Sequence, residues 1–175
     1  ETLSRKLDPH DRDSMIFSDG AGAAIVEARG GEDGKGILST ASQTFTENEA
    51  YYLYYDVSYK PSDENKTRYV KMQGHKIFEF ALNHVPAAMQ KCLDKSGVGI
   101  DEVKKVLIHQ ANEKMDEAII KRFFRLYKKT PPEGIMPMSI HLLGNSSVAT
   151  VPTLLDLLRK GELEGHDLKK GDVIL

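Results

Sequence analysis

Helical periodicities alternating with short apolar runs predict an α/β chain with helices packed on a sheet. Apolar residues recur at three- and four-residue steps from Gly74 to Ser96, and again from Met115 to Leu126. Between and after these helices, Val106-Leu107-Ile108 reads as a buried strand and Val173-Ile174-Leu175 as a strand after a turn. With 175 residues, 40% hydrophobic and 29% charged, the chain is sized and composed for one folded core and not for a disordered segment.

From the amino end, Met15-Ile16-Phe17 is a short apolar run, and Asp19-Gly20-Ala21-Gly22 leads into a second at 23–26. Small residues there let two backbones approach closely. Gly30-Gly31 and Gly34-Lys35-Gly36 form a turn cluster before the β-leaning stretch 37–45, so adjacent strands in a hairpin are expected. Residues 46–68 hold Tyr51, Tyr52, Tyr54, Tyr55 and Pro61 without a sustained period, and are expected to form an excursion loop.

The helix from Gly74 places Ile77, Ala81, Val85, Ala88 and Cys92 on one stripe, with Phe78, Leu82, Met89 and Leu93 beside it. Gly97 suits its C-cap, and Pro86 removes one donor in mid-helix and should kink it. The next helix starts near Asn112, with Met115, Ala118, Ile119, Phe123 and Leu126 facing inward. Gly144-Asn145-Ser146-Ser147 is a polar turn before a last helix in which Pro152 is tolerable because it comes early.

Lys plus Arg (24) against Asp plus Glu (26) leaves a net charge of −2, which gives no global reason to expect nucleic acid or an anionic membrane as partner. A single cysteine, Cys92, cannot close an internal disulfide, and the first residues lack the form of an export signal, so a cytoplasmic location is expected. The sequons at Asn65 and Asn145 then read as chance matches. His75 and Glu79 stand one turn apart, but no third ligand is evident, which favours a solvated pair over a metal site.

Two polar residues sit where such folds bind ligands. His109 follows the run 106–108, and open α/β sheets take ligands beyond the carboxyl ends of their strands. Asn145 lies in the turn before the last helix. Each also has a structural reading, as a hydrogen-bonded core histidine and as a capping or turn asparagine.

Leu107-Ile108-His109-Gln110-Ala111-Asn112 resembles the His-Gln-Ala-Asn segment of the β-ketoacyl-[acyl carrier protein] synthase III family, and Gly144-Asn145-Ser146-Ser147-Val148-Ala149 resembles that family's Gly-Asn-Thr-Ser turn. Asp19-Gly20-Ala21-Gly22-Ala23-Ala24 and Gly74-His75-Lys76-Ile77-Phe78 match two further segments in the same order. The resemblance implies a thiolase-like fold of α-β-α layers around a mixed sheet, present as an incomplete copy. Residues 1–45 would end the amino-terminal half, 46–68 would be the excursion, and 69–175 the carboxyl-terminal half without its last strands.

The resemblance further implies a condensing acyltransferase of fatty-acid initiation, joining an acyl-CoA starter to malonyl-[acyl carrier protein] with loss of carbon dioxide, and needing no cofactor or metal. His109 and Asn145 match the His and Asn of its Cys-His-Asn triad. Two neutral donors aimed at the thioester oxygen would stabilise the enolate formed on decarboxylation. His109 is expected to stay neutral, helped by burial. Cys92, on a helix stripe, does not match the family's nucleophile, which sits upstream of Asp19; that cysteine is expected outside this chain, leaving the piece inactive by itself.

Gly74, Phe78 and Asn112 are carried over as substrate-binding residues; His75 departs from an Asn frequent in the family. Lys114, Lys121 and Arg125 are expected to dock the acidic carrier protein, with Lys114 replacing an arginine; acids first and bases last also suit the helix dipole. Homodimerisation of the intact protein is implied as well. Two other readings stay open: a sister condensing enzyme of specialised metabolism, and a non-catalytic carrier-binding module.

Overall fold

The computed structural model describes residues 4–28, 30, 35–60 and 66–175. Its strands are β1 (Leu53–Val57), β2 (Arg68–Met72), β3 (Val103–Lys105) and β4 (Val173–Ile174). The helices are α1 (Gly74–Ser96), α2 (Glu113–Leu126), α3 (Ile140–Leu143) and α4 (Thr150–Lys160). β1 and β2 pair antiparallel, and β3 and β4 pair parallel.

The parallel pair divides the core. Leu175 N–H donates to the Lys105 carbonyl at 3.1 Å, and Leu107 N–H donates to the Leu175 carbonyl at 2.7 Å, so the ladder runs on past both strands. Alternation along the extended chain then sends Val106 to one side and Leu107 to the other. Val106 joins Met89 and Leu93 of α1 and Ile119, Phe123 and Phe124 of α2; Leu107 joins Leu154 and Leu158 of α4. The result is an α-β-α sandwich built on a narrow sheet.

α1 has the predicted span, with Gly97 closing it in the left-handed conformation at φ 75°. Pro86 lies inside this helix and cannot donate to the carbonyl four residues earlier, that of Leu82. Arg122 of α2 supplies the missing donor: its Nη1 gives hydrogen bonds to Leu82 O at 2.9 Å and to Asn83 Oδ1 at 3.1 Å. The same bonds fasten α2 across α1.

Several expected strands differ. Residues Arg12–Ile16 form a 3-10 turn, and only Phe17 of that run makes a bridge, parallel to Asn145. Residues 23–26 and 37–45 form no strand among the described residues, and Ile25 is 99% exposed. Their β propensity is intact, but a strand forms only against a paired edge. Of the predicted turn cluster, Gly31 and Gly34 lie outside the described residues.

The excursion is a β-hairpin instead of an irregular loop, and its second strand extends to Met72; Pro61 lies outside the described residues. All five residues of β1 are exposed, so the sequence had no alternation to display. Strand β3 begins and ends three residues before the predicted run 106–108. Leu126, assigned to the inner face of α2, is exposed because Phe124 takes the inward position.

A buried ion pair fixes the hairpin to the amino-terminal segment. Lys71 Nζ of β2 donates to Asp8 Oδ2 at 2.5 Å and to Asp11 Oδ2 at 3.3 Å, under the Tyr59 ring at 3.5 Å. Both the Asp8 and Lys71 side chains are fully buried. Burial pushes the Asp8 carboxyl up, but the Lys71 ammonium, the Tyr59 and His10 N–H groups and the Ser58 hydroxyl outweigh it and hold the group well below the usual carboxylate range.

Lys71→Met strands the Asp8 charge and is expected to cost about 3 kcal/mol or more, with Asp8→Asn recovering part of the loss in the double variant. Because the folded form of Asp8 titrates below the unfolded one, the contribution is whole above about pH 4 and vanishes on further acidification. Thermal denaturation of the three variants between pH 3 and 7 checks both statements.

Candidate active site

The turn that carries Asn145 is sewn to the amino-terminal segment by backbone bonds. Asn145 N–H donates to Ile16 O at 3.2 Å, and Ser18 N–H donates to Asn145 O at 2.8 Å. Ser18 Oγ donates to Leu143 O at 2.6 Å. The small residues that follow fit the same seam: a Cβ on Gly20 would stand 2.8 Å from Ser146 Cβ, and one on Gly22 would overlap Pro152. The close approach expected of 19–24 is therefore made against the turn before α4.

His109 is placed from the other side. Gln110, fully buried, donates from Nε2 to Pro137 O at 2.8 Å and accepts from Ser139 N–H at 2.9 Å. Its side chain thus bolts the 109–112 segment to the stretch entering α3 and the Asn145 turn. Asn112 ends the segment as N-cap of α2, its Oδ1 accepting from Met115 N–H at 3.2 Å.

Both predicted polar side chains meet the backbone of Ser147. The imidazole Nδ1 of His109 lies 2.9 Å from Ser147 O, and Asn145 Oδ1 accepts from Ser147 N–H at 3.0 Å. A carbonyl oxygen only accepts, so Nδ1 carries the ring's proton in this bond. The Asn145 amide has its acceptor occupied and its Nδ2 hydrogens unengaged among the described residues. Ser147 itself takes φ 55°, a left-handed conformation rare outside glycine.

Two details differ from the sequence expectation. His109 is exposed, where the sequence led to a buried ring. With Nδ1–H turned to Ser147, a neutral ring presents Nε2 as an acceptor, and the ring donates from Nε2 only when doubly protonated.

Gly74 opens α1 beside Asp13, and Phe78 stands one turn later, partly exposed; neither bonds to the His109, Asn145 and Ser147 group. His75 and Glu79 form an exposed pair at 3.6 Å. Cys92 is half-buried, its Sγ 3.3 Å from Ser39 Oγ in a cleft of about 540 Å³ that also takes in β4 and Leu175.

The basic residues on and just after α2 sort into two sets. Lys121 pairs with Glu117, Lys129 with Asp101, and Arg122 is spent on α1. Lys114 and Arg125 are exposed and without ionic partners among the described residues. At about 100° per residue, Lys114, Lys121 and Arg125 share one stripe of the helix.

Sequence reasoning missed Gln110, Ser147 and Arg122 as working parts. Gln110 stood within the quoted motif, and a buried amide directly after a strand-end histidine was the available signal. Ser147 acts through its main chain, which no side-chain pattern reports. Arg122 has no local signal beyond its charge, and the one clue to its role is the carbonyl that Pro86 leaves unpaired in α1.

This is a partial thiolase-like α/β fold. Over 98% of its length the chain superposes on 49% of the crystal structure of 3-oxoacyl-[acyl-carrier-protein] synthase III from Aquifex aeolicus VF5, with a TM-score of 0.74 and 28% identity. The synthase III of Pseudomonas aeruginosa PAO1 shares the fold at a TM-score of 0.68, 22% identity, over 99% of this chain and 50% of that one.

Residues 1–45 match the profile described as 3-oxoacyl-[acyl-carrier-protein] synthase III, and 93–175 match its C-terminal profile. The β-ketoacyl-[acyl-carrier-protein] synthase III of Bartonella henselae is 32% identical over 100% of this chain and 52% of that protein. That of Sphingopyxis alaskensis is 32% identical over 96% and 50%. The chain belongs to the 3-oxoacyl-[acyl-carrier-protein] synthase III family and spans about half the length of these relatives.

Gln110→Ala would leave the Ser139 N–H and the Pro137 carbonyl unpaired in the interior. A loss of about 2–4 kcal/mol is expected on thermal or urea denaturation, from two stranded groups. The His109 ring resonances should shift with it, as its segment loses its anchor.

Proposed function

We propose that the chain is the carboxyl-terminal part of a condensing acyltransferase that joins an acyl-CoA starter to malonyl-[acyl carrier protein] in fatty-acid initiation. The observation that carries this is the convergence of His109 and Asn145 on the Ser147 peptide. The acylated cysteine would come from sequence outside these 175 residues, because Cys92 faces Ser39 on α1 and not this group. The reading agrees with the names of the relatives, each a synthase III.

In the proposed reaction the bond between the malonyl methylene and its carboxylate breaks, carbon dioxide leaves, and the electron pair passes to the thioester as an enolate. Asn145 Nδ2 donates to the enolate oxygen, and its acceptor is already committed to Ser147, so the amide cannot turn the wrong end to the substrate. His109 donates to the same oxygen from Nε2 in its doubly protonated form. The enolate carbon then attacks the acyl thioester, the carbon–carbon bond forms, and the cysteine thiolate departs.

Substrate contacts at Gly74, Phe78 and Asn112, a cytoplasmic location and a homodimeric intact protein belong to the same proposal. Asn112 already caps α2, so its share in substrate binding would be through the backbone it fixes. Lys114 and Arg125 would meet the acidic carrier protein, with Lys121 on the same stripe held partly by Glu117.

On the natural full-length product, His109→Ala and Asn145→Ala are each expected to lower malonyl decarboxylation about 100-fold or more while cysteine acylation by acyl-CoA persists. Parallel loss of both half-reactions would contradict these roles. Reversing Lys114 and Arg125 to Glu is expected to slow carrier-protein association about tenfold at low salt, with the difference shrinking as salt rises. Stopped-flow association at two ionic strengths reads this directly.

A further inference from the structure

The position of Asp116 is left unexplained by the proposed chemistry. It lies one turn past the Asn112 N-cap, and its N–H donates to Asn112 O at 2.9 Å. Its side chain is fully buried on the inner face of α2, and neither carboxylate oxygen makes a hydrogen bond of good geometry among the described residues, the Asn112 backbone N–H being the donor that favours its charged form.

The core entered by that face is apolar. α1 brings Met89 and Leu93, the stretch around β3 brings Ile100, Val103 and Val106, and the following loop brings Ile135. Charged groups on these elements turn elsewhere. Lys105 of β3 donates to Gly134 O and His166 Nδ1, and Asp94 of α1 accepts from Tyr127. On α2 itself, Glu113 is the charge that acts on Asp116, while Glu117 and Lys121 pair in solvent.

We propose that Asp116 is a positioning residue for His109: uncharged it seats the first turn of α2, and charged it loosens that turn and the 109–112 segment joined to it. This rests on the role given to His109 above. A neutral carboxyl is tolerated in an apolar core, whereas a carboxylate with no cation and no well-made hydrogen bond there is not.

Burial pushes the group up to about 7, with Glu113 adding to the rise and the Asn112 backbone N–H opposing it. When the turn opens, the carboxyl meets water and returns to its ordinary range near 3.8. Opening is thus favoured about tenfold per pH unit between about pH 4 and 7, and levels off above.

Amide hydrogen exchange on the natural full-length product tests this without reference to catalysis, so failure of the condensing activity would not decide it. After correction for intrinsic rates, protection of residues 110–116 should fall about 100-fold between pH 5 and 7 in the wild type. It should stay level in Asp116→Asn and in Asp116→Leu, the second serving if the first fails to fold. Identical profiles in wild type and variants overturn the proposal. So does a wild-type loss shared equally by β3 and α4, which would make Asp116 a charge on the whole core and not on the seat of His109.

Discussion

The peptide of Ser147 is the point on which the candidate site depends. Its N–H orients the Asn145 amide and its carbonyl orients the His109 ring, so one backbone unit sets two side chains that are far apart in sequence. Ser147 makes both bonds from the left-handed region, at a cost of roughly 1–2 kcal/mol for a residue other than glycine. The surrounding contacts hold it there: Ser146 Oγ lies 3.1 Å from Thr150 Oγ1, and Ala149 N–H donates to Ser146 O. Strain of this kind persists only where neighbours over-determine it.

Each half of that arrangement is braced from a different part of the chain. Asn145 is tied to 16–18 through main-chain bonds, with Gly20 and Gly22 allowing the approach. His109 is tied to 137–139 through Gln110. Neither brace involves the narrow β3–β4 sheet directly, yet that sheet sets where 106–109 emerges between the two apolar cores. The geometry of the site is therefore a product of packing on both faces of β3 as well as of the polar bonds.

What the sequence disclosed follows from the range of each interaction. α1 repeats its apolar stripe over 23 residues, so its span and its Gly97 cap were readable locally. His109 and Asn145 were readable because motifs of four to six residues surround them. The hairpin was not, since β1 is exposed throughout and its partner begins eleven residues on, beyond Pro61. Gln110 to Ser139 and Arg122 to Leu82 join residues separated by 29 and 40 positions, and no local pattern encodes such a bond. The strands expected at 23–26 and 37–45 show the opposite failure, because their composition is β-like while pairing depends on an edge elsewhere.

Charge shows the same limit more sharply. No local pattern sets Asp8 or Asp116 apart from the other acids of the sequence, and both are fully buried. Asp8 is surrounded by donors and a lysine, so its charged form is the stable one; Asp116 faces apolar side chains, so its neutral form is. The sign of their response to pH is consequently opposite. Raising pH through the acid range strengthens the tie between the hairpin and the amino-terminal segment, and over the next few units it weakens α2 at the end nearest His109. Counting acids and bases gives a net charge of −2 and says nothing of this division. The division arises because burial multiplies whatever each carboxyl finds around it, and what it finds is set by the fold.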